Sequence, residues 1–170
     1  NIVVADIGIP EYVLDKIPIR TFVNGPHLWG RLFPWPKSVG HKYDRGHAVI
    51  VGGSASATGA ARMAARAALR IGAGLVTVAS PRDAVLSYAA QLTAVMIANI
   101  AHDEDFESLV KDVRLNAYLL GPGAGIGRVT IERLLSVCEA GRACLLDADE
   151  LTSYQDHKDC LLYTSDAPDE

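Results

Sequence analysis

The chain has 170 residues, 49% of them hydrophobic and 21% charged, which is the composition of a globular protein with one core of ordinary size. The formal net charge is −4, and this argues against nucleic acid or an anionic membrane surface as the main partner. No apolar run approaches the ~20 residues that span a bilayer, so we expect no membrane segment.

The segment from Ile19 to Gly40 breaks any regular pattern. It holds three prolines and three glycines, together with the aromatic residues Trp29, Phe33 and Trp35. Proline at this density disfavours a regular helix or a central strand. We therefore predict an ordered linker whose aromatic side chains pack against another part of the protein.

Beyond the linker, strands and helices alternate. Ala48–Val51 is a predicted strand, and Thr58 and Gly72 stand at the N-cap and C′ positions of a predicted helix. Helical spacing predicts one buried face and a solvated face made of Arg62, Arg66 and Arg70. The residues predicted to form the buried face are Ala60, Met63, Ala64, Ala67, Ala68 and Ile71.

The remaining elements continue the alternation. The predicted strands are Leu75–Ala79, Val95–Ile100, Tyr118–Leu120 and Ala143–Leu146, and the predicted helices are Arg82–Gln91 and Thr130–Cys138. Continuous apolar strands alternating with helices indicate an α/β fold with a mostly parallel sheet covered on both faces. Right-handed crossovers are the default for such a sheet, and its ligand sits beyond the carboxyl ends of the strands.

Glycine-rich loops follow two of these strands. Residues 52–59, GGSASATG, join a strand to a helix, where backbone amides and the helix N-terminus favour an anion. The Walker A and GxGxxG patterns are both missing, so a turn that serves only the fold remains an alternative. Residues 121–127, GPGAGIG, suit a loop that wraps a flat or phosphorylated ligand, the alternative being a flexible connection.

Two aspartates, Asp147 and Asp149, end the last predicted strand. Residues two apart on a strand share a face, so both carboxylates could reach one site and hold a metal through water. Asp149 could instead cap a helix. Residues 41–46 are predicted to form a polar loop.

The three cysteines, Cys138, Cys144 and Cys160, form neither a disulfide framework nor a zinc pattern. This favours free thiols in a cytoplasmic protein.

Several motifs, in this order along the chain, resemble the opening of the NAD(P)H-hydrate dehydratase domain. They are His41-Lys42 with Asp44-Arg45-Gly46-His47, Gly52-Gly53-Ser54, Thr58-Gly59-Ala60-Ala61, Gly72-Ala73-Gly74-Leu75-Val76-Thr77, Gly121-Pro122-Gly123 and Leu146-Asp147-Ala148-Asp149. The resemblance covers about Arg20 to Asp159. Residues 1–10 resemble the closing strand of an NAD(P)H-hydrate epimerase domain, which precedes the dehydratase in many fused proteins.

This resemblance implies a ribokinase-like three-layer sandwich and a repair reaction. Hydrated NADH or NADPH would be dehydrated to the working cofactor, with ADP as phosphoryl donor and Mg²⁺ offsetting phosphate charge. The implied partners are the hydrate and ADP, in a cytoplasmic protein that is a homo-oligomer at full length. Another small-molecule kinase of this fold, or a module that binds hydrate or nucleotide without turnover, is the alternative.

Carried over residue by residue, the resemblance places Ala60 and Gly123 against the hydrate. It assigns Gly59, Gly121 and Gly125 to the walls of the same pocket and Asp147 to its edge. The family's catalytic aspartate and nucleotide loop are expected beyond residue 170, so we assign no catalytic, nucleotide-binding or metal-binding residue and expect no turnover by this chain alone.

The sequence also departs from the family. Tyr43 replaces the glycine usual after His-Lys, and Gln91-Leu92-Thr93-Ala94-Val95-Met96 lacks the common Pro-Glu before Val-Met. We predict four segments: an epimerase remnant at 1–12, a linker at 13–40, the first part of the dehydratase at 41–159, and an anomalous tail at 160–170, where the fold is expected to be incomplete.

Overall fold

The computed structural model describes residues 3, 5–18 and 21–155. Internal contacts divide the chain into two compact units, Asn1–Trp35 and Pro36–Glu170. The predicted tail at 160–170, with Cys160 inside it, lies outside the described residues. Among the helices that the structure describes, none is both long enough and apolar enough to cross a membrane.

Among the described residues of the first unit are two one-turn helices, α1 (Glu11–Leu14) and α2 (Pro26–Trp29). The expectation that proline excludes helix from this segment is wrong for α2, because Pro26 occupies its first turn, where the missing N–H costs nothing. The aromatic side chains pack on one another: ring centroids lie 5.7 Å apart for Trp29–Phe33 and 4.7 Å apart for Phe33–Trp35.

The second unit is an alternation of strands and helices. The strands are β1 (His47–Val51), β2 (Leu75–Ser80), β3 (Met96–Asn99), β4 (Ala117–Leu120) and β5 (Ala143–Leu146). The helices are α3 (Gly59–Ile71), α4 (Val85–Gln91), α5 (Asp103–Lys111), α6 (Arg128–Glu139) and α7 (Asp149–Ser153), with 3₁₀ turns at Lys42–Arg45 and Arg82–Ala84.

The strands form one parallel sheet in the order β3-β2-β1-β4-β5. From β1 the chain moves through β2 to β3 at one edge, then returns to the other side of β1 for β4 and β5. Because crossovers in parallel sheets keep one hand, reversing the direction moves the later helices to the opposite face. The direction in which successive strands are added to the sheet therefore reverses between the neighbours β1 and β4.

Two separate cores confirm the three layers predicted for the fold. On one face, Ile50 and Val78 of the sheet pack with Ala65 of α3 and Tyr88 of α4. On the other face the strands pack against α5 and α6 in a second apolar cluster. Its buried residues include Val49, Val51, Tyr118, Leu120, Phe106, Val110, Leu134, Val137 and Tyr154.

The buried face of α3 differs from the predicted one. Ala61 and Ala65 are fully buried, whereas Met63 is 68% exposed and Ile71 is 73% exposed. Alanine occurs on every side of this helix, so apolar spacing does not fix which side faces the sheet. The arginine face is also less solvated than predicted, since Arg62 Nε is buried with no hydrogen-bond partner among the described residues.

Candidate functional site

The two glycine-rich loops meet at the carboxyl edge of the sheet. Residues 52–58 follow β1 and residues 121–127 follow β4, and these strands are the neighbours between which the chain direction reverses. In open α/β sheets, the crevice at such a reversal is where ligands bind. The prediction that both loops lie at the same edge of the sheet is confirmed by this parallel pairing.

Backbone of one loop lies directly against backbone of the other. A Cβ added at Gly53 would overlap the carbonyl oxygen of Gly123, and one added at Gly123 would lie 2.9 Å from the carbonyl oxygen of Ala57. Gly123 also has a φ of 75°, which residues with a side chain rarely adopt. Glycine is therefore required here because the loops touch, whatever else they bind.

Side chains from two neighbouring elements hold the first loop. The Tyr88 hydroxyl, fully buried beneath it, donates to the Gly53 carbonyl at 3.1 Å, and Asp83 Oδ2 accepts from the Ala55 amide at 3.1 Å. Burial raises the pKa of Tyr88 above its usual value. Sequence reasoning missed Tyr88, because a tyrosine inside a helix gives no sign that it reaches a loop 35 residues away.

In the part of the chain that the structure describes, no side chain caps the start of α3. Thr58 occupies the N-cap position, as predicted, but its side chain makes no capping hydrogen bond, and the first turn holds no acidic residue. The first amides of a helix and its dipole together attract negative charge. The positive end of this 13-residue helix therefore faces the crevice with no anionic side chain of its own first turn to neutralise it.

The second loop, unlike the start of α3, receives side-chain hydrogen bonds at its backbone amides. Asp149 Oδ2 accepts from the Gly125 amide at 2.9 Å, and Ser153 Oγ accepts from the Gly127 amide at 3.1 Å. The Thr130 hydroxyl donates to the Gly125 carbonyl at 2.6 Å. These hydrogen bonds hold the loop on both sides, so the alternative of a flexible connection at 121–127 is not what the structure shows.

Asp147 and Asp149 do not share a strand face. β5 ends at Leu146, and the chain turns sharply at Ala148, whose φ of 44° is rare for a residue with a side chain. Asp149 is not a helix cap either, because Ala148 holds the N-cap position of α7. The shared-face and capping hypotheses for Asp149 are both wrong, since the strand stops too early for alternation to apply.

A buried carboxylate lies next to the second loop. Glu150 is fully buried, and neither of its carboxylate oxygens has a hydrogen-bond partner among the described residues. Burial raises its pKa to about 7, and the Arg133 guanidinium opposes the shift. Its Cβ would lie 3.0 Å from a Cβ added at Gly121, so this side chain supports the start of the loop.

The six predicted hydrate-binding residues fall into two groups. Gly121 and Gly123 face protein backbone, since a Cβ at Gly121 would overlap the Asp147 carbonyl. Gly59 and Gly125 have open space where a Cβ would point, and Ala60 and Asp147 are exposed. The structure brings all six to one edge of the sheet; their contact with a hydrate stays a prediction.

The polar segment 41–46 lies at the opposite edge of the sheet. A Cβ at Gly74 would overlap the Lys42 carbonyl, and the Gly46 carbonyl accepts from the Gly74 amide at 3.1 Å. His47, at the start of β1, pairs through Nε2 with Thr77 Oγ1 at 2.8 Å, and burial lowers its pKa. These contacts place the segment in the framework of the sheet.

Comparison with known proteins identifies the family of this loop–sheet arrangement. The sequence model of the NAD(P)H-hydrate dehydratase family matches residues 48–168. The chain belongs to this family. A bifunctional NAD(P)H-hydrate repair enzyme Nnr from Coxiella burnetii is 36% identical over 151 residues, which are 83% of this chain and 30% of that enzyme. The chain thus spans less than a third of its length.

Another relative supports the same family, and solved structures support the fold. An ADP-dependent (S)-NAD(P)H-hydrate dehydratase from Staphylococcus aureus is 31% identical over 125 residues, covering 71% of this chain and 44% of that protein. The ADP/ATP-dependent NAD(P)H-hydrate dehydratase from Bacillus subtilis, co-crystallised with ATP/Mg²⁺, superposes with a TM-score of 0.59 at 21% identity, over 70% of this chain and 43% of that chain. A ribokinase-like protein from Enterococcus faecalis gives 0.61 at 23% identity, over 73% and 44%. The fold is therefore ribokinase-like.

Proposed function

We propose that this chain carries the hydrate-binding part of an ADP-dependent NAD(P)H-hydrate dehydratase, which returns hydrated NADH or NADPH to the working cofactor. The observation that carries the proposal is the uncapped start of α3, which opens into the crevice between the loops at 52–58 and 121–127. A dinucleotide hydrate brings a pyrophosphate, and a helix N-terminus is a ready site for such an anion.

The six predicted hydrate-binding residues have different roles in this proposal, according to what surrounds each of them. Gly59 and Ala60 supply first-turn amides, while Gly125 and Asp147 present an open or exposed surface at the crevice. Gly121 and Gly123 act indirectly, by allowing the two loops and the Asp147 turn to approach each other. In this proposal Ala60 makes the direct contact and Gly123 shapes the wall beside it.

ADP would supply the phosphoryl group, and Mg²⁺ would offset the phosphate charge. Within residues 3, 5–18 and 21–155, no group of three metal-ligating side chains is present. Asp147 is an exposed carboxylate at this edge, and one carboxylate alone does not fix a metal position.

The longer relatives extend the proposal to the whole protein. The bifunctional enzyme from Salinibacter ruber aligns with 97% of this chain at 32% identity, which supports an epimerase part ahead of the dehydratase. We propose epimerase sequence at 1–12, a linker at 13–40 and dehydratase from 41, in a cytoplasmic homo-oligomer. The family match begins at residue 48 and runs past Asp159 to residue 168.

Charge at Gly59 tests the proposed site. Asp or Asn at this position enters open space, so both Gly59→Asp and Gly59→Asn should fold normally. The carboxylate favours the helix start yet repels a bound phosphate. We expect Gly59→Asp to weaken binding of NADPH hydrate by at least about tenfold, near 1.4 kcal/mol, with Gly59→Asn much closer to the parent chain.

Calorimetric titration of each variant with NADPH hydrate, and with a sugar phosphate as competitor, gives the measurement. Equal affinities of Gly59→Asp and Gly59→Asn in folded chains would place the hydrate elsewhere. Binding of the sugar phosphate in a chain that does not bind NADPH hydrate would favour another small-molecule kinase of this fold. Binding without ADP-dependent turnover, in a version of the length of the relatives, would favour a module that only binds.

A further inference from the structure

Two cysteines come together where α6 meets β5. Cys138 lies in the last turn of α6 and Cys144 is the second residue of β5. Between them the chain reverses through Gly141, which has a φ of 64°. The Gly141 amide donates to the Cys138 carbonyl at 2.8 Å, and the Arg142 amide donates to the Val137 carbonyl at 3.1 Å. A left-handed residue in such a turn returns the chain beneath the helix that it has just left.

Side-chain alternation directs Cys144 toward α6. Cys144 and Leu146 are two apart on β5 and share a face. Leu146 packs against the apolar cluster that includes Leu134 and Val137 of α6, and Cys138 packs against the same cluster. The Cys144 side chain is close enough to the Cys138 thiol to raise its pKa. They are therefore neighbours across the boundary between helix and sheet.

Their surroundings give the two thiols different reactivity. Cys144 is exposed, whereas Cys138 is partly buried. Burial raises the pKa of the Cys138 thiol to about 11, and the adjacent Cys144 and Glu150 act in the same direction. Since an accessible sulfur meets a dissolved oxidant first, and a raised pKa leaves little thiolate, Cys144 reacts before Cys138.

We propose that Cys138 and Cys144 are a redox-sensitive dithiol that closes to a disulfide bond when hydrogen peroxide oxidises it. The Cys144 sulfur takes one oxygen from the peroxide, so the O–O bond breaks, one water leaves and a sulfenic acid remains. The Cys138 sulfur then attacks that sulfur, the S–O bond breaks, and a second water leaves with the Cys138 proton. Two thiols are oxidised while one peroxide is reduced to two waters.

Tryptic mapping of the intact chain tests this pairing directly. Trypsin cuts after Arg133, Arg142 and Lys158, so the three cysteines fall on three different peptides. The reduced chain is treated with peroxide, alkylated and digested without reductant. We expect peptide 134–142 joined to peptide 143–158, a loss of at least about tenfold in each alkylated peptide, and release of both by dithiothreitol.

Single substitutions separate this bond from other oxidation products. Cys160→Ser should keep the joined peptides, whereas Cys138→Ser should lose them and leave oxidised Cys144. Before digestion, the oxidised chain should run as a monomer on a non-reducing gel. A bond to the Cys160 peptide, a disulfide-linked dimer, or full alkylation of both thiols after peroxide treatment, in a chain with an unchanged circular dichroism spectrum, would overturn the proposal.

Discussion

The loop at 52–58 contains two glycines and the loop at 121–127 contains four, and the backbone amides at the end of each loop meet different partners. In the second loop, Asp149 and Ser153 accept from the Gly125 and Gly127 amides. After the first loop, the N-terminus of α3 receives no capping hydrogen bond from Thr58. Because backbone amides need acceptors, the phosphate of the proposed ligand would supply the acceptor that the first amides of α3 lack.

This comparison shows that glycine content does not by itself separate a binding loop from a structural one. Gly121 and Gly123 are required because other backbone occupies the space of their side chains. Gly59 has open space around it and no such constraint. The space at each Cβ, rather than the number of glycines, distinguishes these enclosed glycines from Gly59.

The largest effect should come from a side chain at Gly121. A Cβ there would overlap the Asp147 carbonyl, and the φ of 121° is strained for alanine. We expect Gly121→Ala to lower the free energy of unfolding by about 4 kcal/mol, measured by urea denaturation. Gly59→Ala is the matched control and should cause no loss. Equal stabilities of the two variants would contradict the distinction between enclosed and open glycines.

A second, smaller effect concerns pH and Glu150. Its pKa in the folded chain, about 7, lies above its ordinary value of 4.5, so the protonated form is the one that folding favours. The associated stability is fully present below pH 4.5 and is lost as pH rises through 7. The difference amounts to roughly 3 kcal/mol, with Arg133 as the charged group that opposes it.

Glu150→Gln should remove this pH dependence and make the chain more stable than the parent at pH 8. Urea denaturation at several pH values between 5 and 8 measures it. Glu132→Gln, on the exposed side of α6, is the control and should leave the dependence on pH intact. An identical pH profile for Glu150→Gln and the parent would mean that Glu150 does not titrate in this range.

The smallest effect should separate the two aspartates. Asp149→Asn weakens a charge-assisted bond to the Gly125 amide at the surface, so we expect a loss of about 1 kcal/mol in unfolding free energy. Asp147→Asn should leave stability unchanged, because the contacts that this residue makes with Leu120 and Gly121 are made by its backbone. Thermal unfolding of both variants measures the two losses of stability. A larger loss for Asp147→Asn than for Asp149→Asn would mean that the Asp147 side chain, and not that of Asp149, stabilises the fold.

Local signals made most of the fold predictable. Strand β5 has the predicted bounds, and α3 begins after Thr58 and ends at Gly72 as expected. Helix α5 was not predicted although its signals were present: His102 and Asp105 form a capping box, and Phe106 and Val110 have the spacing of a buried helix face. The carboxyl-edge position of the site followed from strand–helix alternation alone.

What sequence could not supply depends on contacts between distant residues. Nothing near Tyr88 indicates that its hydroxyl reaches Gly53, and nothing near Glu150 indicates that it is buried. The paired aspartates were misplaced because alternation was extended past the end of β5, where the chain turns sharply at Ala148. The face of α3 was misplaced because alanine fits a buried or an exposed position equally well.

The reversal of strand order has a consequence for how the molecule folds. β1 pairs with β2 across one helix, whereas its pairing with β4 brings Ala48 to Ala117 across α3, β2, α4, β3 and α5. Joining such distant segments costs loop entropy before any contact is made, which slows folding. The crevice thus lies at the strand pairing with the largest sequence separation, and a ligand that bridges it favours the folded chain.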